Sequence, residues 1–166
     1  MKYLFGFPYY VYTIDPKSYD KEQISKDILN NYYINPVRNK WDNNADAYFT
    51  ITNYTAMKTG QYMRKHNHIG DCDFTCVHYF KFNPKEHPST TFYNPNNGAT
   101  SIRYLRPNHY NKLDITNPEH SYRLPYFQLP AKEDEIHIMP SEVEHEVPPF
   151  NSDELRVTIV VNLSIK

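Results

Sequence analysis

The chain has 166 residues, long enough for one domain of ordinary size, and its 18 Lys and Arg against 19 Asp and Glu leave a formal charge of -1. So balanced a charge offers no electrostatic footprint for nucleic acid or an anionic membrane, and neither is expected as a partner. The 16 Tyr and nine Phe suit an aromatic β core, and 13 Pro against four Gly punctuate many short connections.

The N-terminal stretch Lys2 to Thr13 is apolar and aromatic, but Pro8 interrupts it and no small-residue cleavage site follows. It is expected to be a strand, not a signal peptide or a membrane span. A helix is expected next. Ser18 or Asp20 can cap it, Ile24, Ile28 and Leu29 form its apolar stripe, and Asn35-Pro36 ends it. Further strands are expected at Ala47 to Thr52, Phe74 to Phe82, Thr90 to Tyr93, Glu135 to Met139 and Leu155 to Ile165.

His66 and His68 stand two apart, and on extended chain such residues share a face, so both can reach one metal ion. Imidazole suits iron, zinc, copper or nickel. A third ligand has to come from elsewhere, and His145 follows a strand-like run and a Pro140-Ser141 turn that can bring it back. The bland alternative for His145 is a solvated acidic loop, because Glu142, Glu144 and Glu146 surround it and would raise its proton affinity.

Among the other histidines, His78 shares a strand face with Phe74, Cys76, Phe80 and Phe82 and is expected in the core, whereas His87, His109, His120 and His137 lack a partner at ligand spacing. Tyr79 and Tyr93 are possible donors to a bound acid, with core packing the commoner role. Cys72 and Cys76, on extended chain, would lie roughly 13 Å apart, too far for a disulfide. Reduced thiols and a cytoplasmic setting are expected.

Residues 94–130 are rich in Asn, Pro, Tyr and His without a stable period, and are long for a plain connector. A substrate lid, a poorly ordered excursion and a dimer contact are the readings, with Arg103 and Arg106 free to meet an acidic partner there. The last segment alternates most cleanly. Leu155, Val157, Ile159, Val161, Leu163 and Ile165 take one face, and Arg156, Thr158, Asn162 and Ser164 the other, with Val160 the apolar exception. A guanidinium grips a carboxylate through two parallel hydrogen bonds, and a hydroxyl two residues on supplies a third. Arg156 and Thr158 thus make a candidate anion clamp, against the bland reading of Arg156 as the polar-face residue of a half-exposed strand.

Four blocks in order give the chain a family likeness. They are His66-Asn67-His68 with Phe74-Thr75-Cys76-Val77-His78-Tyr79-Phe80; Thr91-Phe92-Tyr93-Asn94-Pro95; Ile136 to Pro148 around Pro140-Ser141 and His145; and Arg156-Val157-Thr158-Ile159-Val160-Val161-Asn162. Trp41 with Asn43 and Asn44 echoes an upstream element. On these blocks the chain resembles the iron(II)- and 2-oxoglutarate-dependent oxygenases, and within them a short group common in phages and marine bacteria. Met139 and Glu142 replace aromatics of that pattern, and Cys76 stands where glycine is usual.

The resemblance implies a mostly β double-stranded β-helix, or jelly roll, with a flanking N-terminal helix, spanning residues 1–166 as one domain. It implies Fe(II) held by His66, His68 and His145, 2-oxoglutarate gripped by Arg156 and Thr158, and hydroxylation of an unidentified substrate with release of succinate and CO2. His68 occupies the place of the carboxylate that such iron sites usually carry. Either the site is a three-histidine variant, or Asp71 or Asp73 swings in. Two rival readings remain, a cupin-like metal-binding jelly roll without oxygenase activity and a viral structural module. Substrate and oligomeric state are not written in the sequence.

Overall fold

The computed structural model describes residues 2–5, 7–32, 37–39, 49–95, 112, 114 and 117–165. Trp41, Asn43, Asn44, Arg103, Arg106 and His109 lie outside the described residues, as does most of the excursion between 96 and 116.

Two antiparallel sheets face each other. The larger has seven strands in the order β1 (Lys2–Leu4), β2 (Phe7–Thr13), β9 (Glu135–Pro140), β6 (Phe74–Lys81), β11 (Arg156–Leu163), β4 (Phe49–Met57) and β3 (Val37–Asn39). The smaller has four, in the order β5 (Met63–His66), β10 (His145–Val147), β7 (Thr91–Tyr93) and β8 (Tyr126–Gln128). Neighbours are far apart in sequence, β9 beside β6 and β6 beside β11, as in a jelly roll.

The expected first strand is two. Phe5 adopts a left-handed φ of 54°, the chain turns, and Leu4 pairs with Phe7. The turn tucks Leu4 and Phe5 into the core with Tyr9, Phe92, Phe127, Leu129 and Met139. The helix α1 (Lys21–Tyr32) is capped by Asp20, whose carboxylate accepts the Gln23 amide at 2.9 Å, while the Ser18 hydroxyl donates to the Asp15 carbonyl. Ile28 is buried and Ile24 packs beside it, but Leu29 is 38% exposed and falls off the expected stripe.

The helix lies on one face of the large sheet, where Ile28 meets Tyr54, Ala56, Phe80, Leu155, Val157 and Ile159. An ion pair from Lys21 to Asp134 at 2.7 Å and a hydrogen bond from the Tyr19 hydroxyl to the same carboxylate pin its start to the turn before β9. His78 is buried there against Tyr19 and Phe80, a core residue as expected.

The opposite face of the large sheet looks inward and is unusually polar. Asn53, Thr55, Thr75, Arg156, Thr158 and Asn162 are all buried on it. The strand β11 is therefore covered on both sides, which replaces the half-exposed reading of Arg156. The end of the long excursion is also not a lid. A 3-10 segment, Pro118–Arg123, leads into β8, and Leu124, Phe127 and Leu129 join the core. Cys72 and Cys76 are free thiols. Among the described residues no helix is long and apolar enough to cross a membrane.

Candidate metal centre and anion clamp

The short strands β5 and β10 pair in antiparallel register with His66 opposite His145. Residues facing each other across such a pair have Cβ atoms about 5 Å apart, so register alone brings the two rings together. Their centroids are 4.4 Å apart. His68 lies just past β5, not on it, so shared strand parity is not what aims it. Its amide donates to the Ser141 carbonyl at 3.0 Å, which folds the chain back and sets its ring parallel to His145 at 5.2 Å. The ligand atoms of His66, His68 and His145 all lie within 4.8 Å of one another.

Two of the rings are oriented from behind. Nδ1 of His66 is 2.7 Å from the Arg64 carbonyl, and Nδ1 of His145 is 3.0 Å from that of Val143. A carbonyl only accepts, so Nδ1 carries the proton in each and Nε2 keeps its lone pair, the arrangement a metal ligand needs. His145 is 6% exposed, and burial, helped by the neighbouring His66 and His68, lowers its pKa to about 3 against the opposing pull of the Val143 carbonyl. The solvated-loop reading is thus overturned. Glu144 pairs with Lys65 at 2.7 Å and Glu146 accepts the Tyr93 hydroxyl at 2.7 Å, so both carboxylates act on the outer surface of the small sheet.

Asp71 and Asp73 do not join the cluster. Asp71 is exposed in the loop after His68, and the Asp73 carboxylate accepts the Ile165 amide at 2.7 Å. Among the described residues the three imidazoles are the one group that could hold a metal, and they bring no negative charge to it.

On the inner face of β11, Arg156 is wholly buried. Its Nε donates to the Pro88 carbonyl at 3.2 Å, and its guanidinium lies 5.7 Å from the ring centroids of both Tyr79 and Phe82. Nη1 and Nη2 have no hydrogen-bond partner among the described residues. Burial lowers its pKa to about 10, so it is still a cation at neutral pH. A buried cation with two idle donors is costly unless an anion meets it.

Thr158 is buried two residues on, and its hydroxyl lies 2.6 Å from that of Thr55 on β4. The longer β4 was the sequence's blind spot. The strand runs to Met57, beyond the expected Thr52, and its Asn53, Thr55, Met57 alternation was the signal available. Tyr79 donates its hydroxyl to Thr90 at 3.0 Å inside the barrel, whereas Tyr93 faces outward.

A family model described as "Putative 2OG-Fe(II) oxygenase" matches residues 53–162, from within β4 to within β11. The chain belongs to this family. The match takes in His66, His68, His145, Arg156 and Thr158. Among solved structures, this oxygenase-family chain is similar to a Pseudomonas putida prolyl-4-hydroxylase at TM-score 0.57 and 11% identity, over 96% of this chain and 94% of that one. It is also similar to HygX from Streptomyces hygroscopicus, solved with nickel and 2-oxoglutarate bound, at TM-score 0.54 and 7% identity, over 96% and 84% of the two chains. At such identities the likeness is one of fold. No curated protein matches the sequence.

Proposed function

We propose that this chain is an Fe(II)- and 2-oxoglutarate-dependent dioxygenase in which His66, His68 and His145 hold the iron. Arg156 and Thr158 take the distal carboxylate of 2-oxoglutarate. The observation that carries the proposal is the pair of idle guanidinium nitrogens on a fully buried Arg156. A planar cationic fork with nothing to grip, inside the same barrel as three convergent imidazoles, calls for a small anion. The donor sets fit both groups, since neutral imidazole binds Fe(II) and the fork matches a carboxylate.

When bound, the iron and 2-oxoglutarate would supply the oxidation R–H + O2 + 2-oxoglutarate → R–OH + succinate + CO2. The chain's own residues bind and orient. The Arg64 and Val143 carbonyls fix two imidazole tautomers. Thr55 can donate to Thr158, which releases the Thr158 proton for the carboxylate while Arg156 supplies two further donors. Tyr79 and Phe82 wall the clamp and exclude water, so its charge acts at full strength.

The test is an anaerobic titration of 2-oxoglutarate into Fe(II)-loaded protein, read by the visible charge-transfer absorption of a chelated keto acid, with Arg156→Met alongside. A saturable band that the variant loses supports the dioxygenase. Tight metal binding with no band would leave a cupin-like metal protein, and no metal binding would remove the centre altogether.

A further inference from the structure

Outside the clamp, an open cleft of about 400 Å3 borders the two histidines of the β5 region, lined by Met63, Arg64, His66, Asn67, His68 and Asp71. Arg156, Thr158 and His145 do not line it, and it opens to solvent beside His66 and His68. Arg64 precedes His66 by two residues on β5, across an irregularity in the pairing with β10, and lines the cleft beside it. Asp71 lines it too, three residues after His68, with its amide donating to the His68 carbonyl at 3.0 Å. Both are exposed, and among the described residues neither forms a salt bridge.

Lys65, one residue on from Arg64, is instead paired with Glu144 and lies over the Tyr93 ring. An unpaired cation and an unpaired anion thus line the same cleft as two of the histidines.

From this arrangement we infer that the cleft takes a small zwitterion, a free α-amino acid or a compound with the same carboxylate-plus-amine head, with Arg64 gripping the carboxylate and Asp71 the ammonium. The guanidinium fork matches a carboxylate bidentately, and a carboxylate accepts from an ammonium with charge assistance. Bridging both would hold the ligand across the mouth with its side chain directed at the histidines, while the Asn67 carboxamide and the Met63 thioether offer one polar and one apolar contact. The volume suits one such molecule and not a folded partner. A uniformly cationic mouth would instead point to a plain acid, and a neutral one to an apolar substrate. This inference rests on the dioxygenase reading for what happens to the ligand, not for how it is held.

The experiment adds each of the twenty L-α-amino acids, with their N-acetyl and methyl ester forms, to the anaerobic Fe(II) and 2-oxoglutarate complex and follows the visible band. At least one free amino acid should shift it saturably. Arg64→Gln and Asp71→Asn should each weaken that ligand about tenfold, the effect expected when one charge-assisted hydrogen bond is removed. The pattern should also split by chemistry. The methyl ester should bind Arg64→Gln and the parent protein equally, and the N-acetyl form should do the same for Asp71→Asn.

No shift from any amino acid, or a shift indifferent to both substitutions, would overturn the inference. Absence of the band itself would count against the iron and 2-oxoglutarate reading instead. Saturation-transfer NMR of the same amino acids on the metal-free protein and the two variants then decides the zwitterion question by the same split.

Discussion

Replacing Arg156 by Met should make the protein more stable and useless at once. The guanidinium is wholly buried with two nitrogens unpartnered among the described residues, and burial lowers its pKa to about 10. At about 1.4 kcal/mol per tenfold change in proton affinity, that depression opposes the charged form by roughly 3 kcal/mol. Because the folded value is the lower one, the unfolded chain binds the proton more tightly, and the penalty is present in full at neutral pH. It would be relieved only above pH 10, where the folded arginine begins to release its proton.

Met keeps an unbranched apolar stem and removes the charge that lies beside Tyr79 and Phe82. Without the hydrogen bond to the Pro88 carbonyl the variant gives back about 1 kcal/mol. The net gain is about 2 kcal/mol, or roughly 4–8 °C in melting temperature for a chain of this length. Differential scanning calorimetry of the metal-free protein measures it. Adding 2-oxoglutarate with metal should then raise the melting temperature of the parent protein and leave Arg156→Met unmoved, since only a ligand that binds the folded state stabilises it. A variant that folds but melts several degrees below the parent would refute the reasoning, because it would mean that the buried charge is already compensated.

Two further outcomes follow from the histidines. His68→Ala should lower metal affinity at least about tenfold by competition with a chelating dye, whereas His68→Asp, which restores the two-histidine, one-carboxylate set, should retain metal; unchanged affinity in His68→Ala would remove that residue from the centre. Burial lowers the pKa of His78, His87 and His137 in the folded state, so the unfolded chain takes up their protons first as pH falls below about 6.5. Stability should accordingly decline on acidification, by up to about 1.4 kcal/mol per pH unit for each residue. His137→Leu should flatten that slope in urea melts, and a stability that rises toward pH 5 would contradict it.

The convergence of the candidate residues was legible in the sequence because spacing and parity survive folding. Arg156 and Thr158 do share a face, and His145 does return beside His66 after the Pro140-Ser141 turn. Their surroundings were much less legible. Alternation predicts which side chains share a face, not what covers it, so a half-exposed β11 stays open as the bland alternative in the sequence, whereas a second sheet lies over it. The three-residue strands β7, β8 and β10 are too short to show a period of two, yet they build the small sheet that carries the centre. His68 came to the right place for a reason that no period encodes, a backbone hydrogen bond to Ser141 more than 70 residues away in the chain.

The double burial of β11 divides what its positions are free to become. Odd-numbered residues Val157, Ile159 and Val161 meet the helix side, where another hydrophobe of similar volume would serve nearly as well. Even-numbered Arg156, Thr158 and Asn162 meet the barrel interior, where size alone is no substitute for the right donor. Drift along this one strand should therefore leave a striped record, with interchangeable aliphatics alternating with positions at which each replacement changes what the barrel can accept.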